Sequence, residues 1–246
     1  MKQISCFIPY ASKEQADKTI RALEAETEVH DVNRVETSLF RTQTIKEIAT
    51  QAAAEYTLIY TKETPLRLGY LALQRLIRIA EDTGAGLLYA DHYQVRDGEE
   101  QKAPVIDYQS GALRDDFDFG SVLFFNTKAL KESAEKLTDN YRFAGLYDLR
   151  LVLSRSYELL HVGEFLYSEV EEDCRTSGER QFDYVDPRNR ERQIEMEQAC
   201  TEHLKAIGGW LEPTFESIDF GADGFETEAS VILPVRNRAT TIEART

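Results

Sequence analysis

Cysteine is scarce in this sequence, and the few copies do not pair. Cys6, Cys174 and Cys200 are an odd number without the close spacing of a zinc site, so neither a disulfide framework nor a structural metal is implied and a reducing compartment fits. Long apolar runs are missing: no stretch approaches the ~18 apolar residues of a membrane helix. The run ISCFIPY behind Met1 is too short and too poorly flanked for a signal peptide. A cytoplasmic location is therefore expected. Positive charge is in deficit: 29 basic against 44 acidic residues leave a net charge of -15, which makes nucleic acid a poor partner. What remains is ordinary globular material. Hydrophobic residues at 42% and aromatics at 10% exclude a disordered or fibrous chain, and 246 residues can bury one large core or two small ones.

The pattern of elements narrows the class. ISCFIPY (4–10) is an apolar run closed by Pro9, and SKEQADKTIRALEA (12–25) follows with Ser12 as a possible cap and Ala16, Ile20 and Leu23 on one face. EVHDVNRV (28–35) reads as a strand, TQTIKEIATQAAA (42–54) as a helix and EYTLIYT (55–61) as a strand. LRLGYLALQRLIRIAEDTG (66–84) spaces Leu68, Leu71, Leu73, Leu76, Ile77 and Ile79 like one buried helix ending at Gly84, after which GLLYA (86–90) is a strand followed by Asp91 and His92. Strands alternating with helices predict parallel βαβ units in an α/β sheet. Ligands in such sheets sit at the carboxyl ends of the strands, which points to Pro9 and Tyr10, to Thr61–Thr64, and to Asp91 and His92.

Beyond Gly98 the pattern is mixed α+β: VIDYQ, the polar run RDDFDFGS, a strand VLFFN (122–126), helices near 127–137 and 144–154, and a strand pair in ELLHVGEFLYSEV (158–170). Residues 189–206 form a charged helix ending at Gly208 and Gly209. The expected organisation is a domain at 1–211, an acidic, glycine-containing linker at 212–228, and the truncated start of a second domain at 229–246. The last assignment rests on an internal match. Ser5, Phe7, Ile8 and Pro9 align with Ser230, Ile232, Leu233 and Pro234, with a helix start behind each.

The tail ASVILPVRNRATTIEART resembles the opening of family 2 glycosyltransferases, inverting GT-A enzymes that use nucleotide-sugar donors; it keeps Asn237 after the proline turn, where the first copy has Ser12. The resemblance covers most of residues 3–170. EYTLIYTKETPLRLGYLAL stands where the family has a strand, an Asp-x-Asp motif and a helix. GAGLLYADHYQVRDGE and DFGSVLFFNTKAL resemble the next segments, and GLYDLRLVLSRSYELLHVGEFLYSEV is similar to the Glu-Asp-x-Asp-Leu-x-Leu-Arg helix with its following strands. The resemblance implies a GT-A-like three-layer sandwich with a mixed, mainly parallel central sheet. It also implies a nucleotide-sugar and a glycan acceptor as partners, Mn2+ or Mg2+ as cofactor, and a parent enzyme of bacterial polysaccharide or glycoconjugate synthesis whose second domain lies beyond the linker.

Two positions depart from that pattern where its chemistry is done. A donor diphosphate needs a cation held by hard oxygen ligands, but the motif falls on Thr61-Lys62-Glu63, which leaves Glu63, with Asp91, as metal ligands. An acceptor hydroxyl needs a general base, but the Glu-Asp pair falls on Gly145-Leu146 and only Asp148 survives. The segment's own site is therefore expected to be degenerate, and the competing reading is a non-catalytic module that binds acceptor glycan or scaffolds a catalytic domain. A nucleotidyltransferase is disfavoured by the absence of a glycine-rich phosphate loop, since GAG at 84–86 lacks the context.

Candidate donor-binding residues are Pro9, Tyr10, Lys62, Glu63, Asp91 and His92; candidate catalytic residues are Asp116, Asp118 and Asp148. Each has a plainer reading. Lys62 either neutralises a diphosphate or is a surface lysine, and Tyr10 either stacks a base or packs on the core. Asp91 and His92 either orient a hydroxyl or are simply hydrogen-bonded. In RDDFDFGS, alternation sends Phe117 and Phe119 to one face and Asp116 and Asp118 to the other, towards cleft or solvent. Arg114 is either their ion-pair partner or a phosphate contact. Trp210 either stacks a sugar or docks on the core, and Cys6, inside a strand, is expected to be inert.

Overall fold

The computed structural model describes residues 3–10, 13–96, 98–170 and 189–217. The linker from 218 onward, the tail 229–246 and Cys174 lie outside the described residues. The chain divides into two units, 1–210 and 211–246. Of the second, residues 211–217 are exposed and without regular secondary structure.

The first unit alternates as expected: β1 (Ile4–Pro9), α1 (Lys13–Glu24), β2 (Val29–Val35), α2 (Thr42–Gln51), β3 (Tyr56–Tyr60), β4 (Leu66–Leu68), α3 (Ala72–Thr83), β5 (Leu87–Arg96), β6 (Glu99–Ala103), β7 (Val122–Asn126), α4 (Thr127–Glu135), α5 (Gly145–Ser154), β8 (Leu159–Val170) and α6 (Arg190–Ala206). One sheet takes the order β2-β1-β3-β7-β5-β8-β4, with β6 paired to the far part of β5. β1, β2, β3, β5 and β8 run one way, and β4, β6 and β7 run against them. The sheet is thus mixed and mainly parallel.

Strand alternation builds the three layers. Ile4, Cys6 and Ile8 of β1, with Leu58 of β3 and Phe124 of β7, face α1 and α3 through Leu23, Leu73 and Leu76. Phe7, Ile59, Leu123 and Phe125 face the other way, onto Ile45 and Ile48 of α2, Leu130 of α4, and Leu149 and Leu153 of α5. Side chains one apart on a strand therefore serve different cores. A smaller cluster docks α6 on α5 through Met196 and Ala199 against Tyr147 and Leu151. Cys6 is fully buried, and burial first, with the charge of Asp31 second, pushes its thiol pKa up, as an inert core cysteine requires.

Three sequence expectations need correction. The helix placed at 66–84 begins only at Ala72, because Leu66–Leu68 pair antiparallel with Tyr167–Glu169 as β4. The spacing of Leu66 and Leu68 is a strand's period of two; what selects it over the helix is an open edge of β8, to which Gly69 also donates its N–H at 2.8 Å. Next, β5 does not stop at Ala90 but runs through Asp91 and His92 to Arg96, because both polar side chains find partners inside the fold. Finally, 158–170 is one strand rather than a pair. Gly163 marks no turn; register shifts against β5 between Ala90 and His92 absorb it, as bulges do.

Candidate functional site

The carboxyl ends of β1 and β3 lie side by side, and the residues beyond them carry the first candidates. Pro9 ends β1 in register with Val35, Tyr10 donates its N–H to the Val35 carbonyl at 2.9 Å, and its ring packs on the core below with the Arg34 guanidinium 4.6 Å from its centroid. Lys62 and Glu63 follow β3. Lys62 is no surface lysine: its ammonium forms an ion pair with Glu169 of β8, whose side chain is only 2% exposed. The same carboxylate accepts from Ser121 Oγ and lies 3.3 Å from His92 Nε2. Burial alone would raise the pKa of Glu169, but the hydrogen bonds from His92, Lys62 and Ser121 outweigh it and hold the group ionised, with a pKa of about 2. His92 stacks on Tyr167, 5.1 Å between centroids and 7° between planes, while its Nδ1 is buried without a partner. Tyr167 Oη accepts the Ser121 N–H at 2.9 Å.

Asp91 and His92 do not act as a pair, because neighbours on a strand face opposite ways. Asp91 Oδ1 accepts the Val105 N–H at 2.9 Å and meets His161 Nε2 at 2.9 Å, and His161 Nδ1 meets Asp107 at 2.7 Å. Burial would lower the His161 pKa; the hydrogen bonds to Asp107 and Asp91 raise it instead. This clamp holds the start of the long segment between β6 and β7. The same segment is pinned further along by Tyr89 Oη to the Ile106 carbonyl at 2.8 Å, Tyr147 Oη to the Leu113 carbonyl at 2.5 Å, and Arg150 to the Arg114 carbonyl at 2.8 Å.

Beneath that segment lies a cavity of about 200 Å3, walled by Phe117, Phe119 and Gly120 of the segment, by Leu146, Tyr147, Leu149 and Arg150 of α5, by Arg192 and Met196 of α6, and by Phe40, Thr61 and Phe143. Its walls carry two positions the resemblance singles out, Thr61 at the metal motif and Leu146 at the base. Neither presents a carboxylate. Gly145 beside Leu146 is fixed by packing: a Cβ there would stand 2.3 Å from Thr42 N and 2.6 Å from Arg41 C, both backbone, so no acid fits. The backbone N–H groups of Arg142, Phe143 and Ala144, which lead into α5, are taken by the carboxylate of Glu195 at 2.6–3.1 Å.

The aspartates of RDDFDFGS divide. Phe117 and Phe119 pack together and on Tyr89 and Tyr108, as alternation predicts, although the run forms no strand. Asp115 and Asp118 reach the cavity wall. Asp118 also accepts the Gly120 N–H at 2.8 Å. Asp116 is exposed, outside the cavity, and paired with Arg114 by two contacts of 2.9 Å, so Arg114 is an ion-pair partner. Asp148 is buried in the first turn of α5 but does not line the cavity, and burial, opposed by Arg155 and Lys46, raises its pKa to about 6. Trp210 is 38% exposed beneath the Lys205 ammonium rather than docked on the core.

This architecture has a counterpart among solved structures. S. aureus TarS 1–349 in complex with UDP-GlcNAc matches with a TM-score of 0.51 and 11% identity, over 82% of this chain and 71% of that one. A longer S. aureus TarS structure matches with a TM-score of 0.51 and 10% identity, over 82% of this chain and 43% of that one. The chain has a GT-A-like fold. At such identity the likeness concerns the fold alone. No protein-family model matches the sequence, and no curated protein does.

Among the described residues, the two candidate metal ligands do not come together. Glu63 and Asp91 follow or belong to β3 and β5, which β7 separates, a gap of about 10 Å at ordinary strand spacing, and Asp91 Oδ1 is committed to His161 and Val105. Among the described residues no group of three or more His, Cys, Asp or Glu could hold an ion. Sequence reasoning missed Glu169, His161, Arg150 and Glu195. Two carried a signal: Lys62, a cation in an acid's place, calls for a buried counter-charge, and Arg150 stands one helical turn from Leu146, on the same face.

Proposed function

We propose that residues 1–210 are a glycosyltransferase-type module that no longer transfers sugar by itself and serves beside a catalytic second domain in a larger family 2 glycosyltransferase. The parent enzyme would take a nucleotide-sugar donor and a glycan acceptor of bacterial polysaccharide or glycoconjugate synthesis. The observation that carries this reading is the cavity lined by both Thr61 and Leu146: the resemblance gives these positions to the metal motif and the base, and neither residue can ligate a hard cation strongly or take a proton. Support also comes from Lys62, whose ammonium is spent on Glu169 and not left for a diphosphate, and from Gly145, whose packing admits no side chain. The nucleotide-sugar in the TarS crystal supports the ligand class of the parent.

The test is calorimetry of the whole chain with UDP and with UDP-GlcNAc, each with and without Mn2+. No metal-dependent heat is expected. Metal-dependent binding that disappears in Glu63→Ala, or turnover of UDP-GlcNAc by the isolated chain, overturns the non-catalytic reading in favour of a live donor site.

A further inference from the structure

The cavity wall holds a buried guanidinium that has no ion-pair partner among the described residues. Arg150 is 6% exposed and lines the wall. Its Nη2 donates to the Arg114 carbonyl at 2.8 Å and its Nη1 lies 3.5 Å from the Ala112 carbonyl, while Nε is buried without a partner. Among the described residues no carboxylate forms an ion pair with it. A buried guanidinium with an unmet N–H and no ion-pair partner suits an anion. The aromatic rings around it, with Tyr147 at 4.8 Å from Cζ and Tyr108 and Phe119 at 5.8 Å, relieve part of the desolvation but leave that donor unmet.

The rest of the wall says what body the anion has. Phe40, Phe117, Phe119, Phe143, Leu146 and Tyr147 give flat apolar surface for one ring. Asp115 and Asp118 stand at the same wall, exposed, as acceptors. With Arg150 and the exposed Arg192 at the same wall, the two carboxylates leave no net positive charge for a diphosphate, but the set suits a ligand with one carboxylate and several hydroxyl donors. We propose that this cavity binds a sugar acid, a uronate residue, with its carboxylate on Arg150, one ring face against the phenylalanines and hydroxyls donating to Asp115 and Asp118. The inference rests on reading the module as glycan-directed: it assigns an acidic glycan as the acceptor that the module holds. No bond is made or broken in this step.

The test is ligand-observed NMR and calorimetry of the whole chain with glucuronate and galacturonate, against glucose and benzoate. A sugar acid is expected to bind at least tenfold more tightly than either control. Arg150→Gln should remove that preference. Because Arg150 also tethers the segment above it, Leu146→Trp provides a second variant; it fills the cavity, leaves the Arg150 contacts in place, and should abolish binding with Tm retained. Equal binding of glucose shows that the charge is not read, equal binding of benzoate that the hydroxyls are not, and unchanged affinity in Leu146→Trp that the cavity is not the site; each overturns the proposal. Failure here is distinguishable from failure of the functional reading. Nucleotide binding that needs Mn2+ overturns the latter alone, and absence of sugar-acid binding overturns this proposal alone.

Discussion

Replacing Lys62 by methionine keeps the length and apolar stem of the side chain and removes its charge together with its hydrogen bond to Glu169. The consequence falls on Glu169, 2% exposed and left with His92 and Ser121 as partners. Its pKa of about 2 against an ordinary 4.5 corresponds to roughly 3 kcal/mol of stability from all partners together. Removing one member of a fully buried pair costs about 3–5 kcal/mol. Lys62 is itself 26% exposed, so water screens part of its attraction, and two partners remain. Both routes place Lys62→Met at about 2 kcal/mol, or some 4–8 °C in Tm for a unit of this size. Urea denaturation at pH 7 would measure it, in the wild type and in a Glu169→Gln background. In the Gln background the cost should fall below about 0.5 kcal/mol, since no buried charge is then exposed to desolvation. The sign with pH follows: a depressed carboxylate contributes stability that is complete above its unfolded value and is lost as pH falls towards about 2, so Lys62→Met should move that loss to higher pH. Equal costs in both backgrounds, or a wild-type cost under about 0.5 kcal/mol, refute the account of Lys62 as the counter-charge of Glu169.

Asp148 should act in the opposite sense. With a pKa raised from 3.8 to about 6 by burial, it binds its proton more tightly in the folded state, so its own contribution to stability is full below about pH 4 and is lost, by up to about 3 kcal/mol, as pH rises through 6. Asp148→Asn should flatten that slope and stabilise the protein at pH 7 in denaturation curves. Gly145→Ala forces a methyl against the backbone of Arg41 and Thr42 and should cost about 3 kcal/mol by urea midpoint; a neutral outcome would mean that α5 is free to shift. Asp116→Ala, exposed and paired only with Arg114, should leave Tm unchanged, and a clear loss of stability or of any ligand would return this residue to the site.

Most of the sheet was legible because its signals are local. The apolar alternation of ISCFIPY, EYTLIYT and VLFFN and the helical faces of 13–24 and 42–51 each report burial within a few residues. What escaped reading depends on partners far away in the chain. Leu66–Leu68 became a strand because β8 offered an edge, and Asp91 and His92 stayed inside β5 because His161 and Glu169 answered them. The site was legible in a similar proportion. Thr61, Lys62, Leu146 and the aspartate run were marked by type and position, whereas the convergence of Thr61 with Leu146, the burial of Arg150 and the exile of Asp116 and Asp148 from the cavity are properties of packing that no local pattern carries. Glu195 shows the limit clearly: a glutamate on a charged helix gives no hint that its carboxylate closes the approach to another helix.

The segment between β6 and β7 hangs on side chains, from Asp91, His161, Tyr89, Tyr147 and Arg150, and not on a strand ladder. Its composition is thereby uncoupled from the hydrogen-bonding register of the sheet beneath. Insertions or exchanges within it alter what the cavity admits while every strand keeps its neighbours, so this roof is the part of the molecule in which new ligand preferences can arise at little expense to the fold, and the part to graft when the pocket is to be re-tailored.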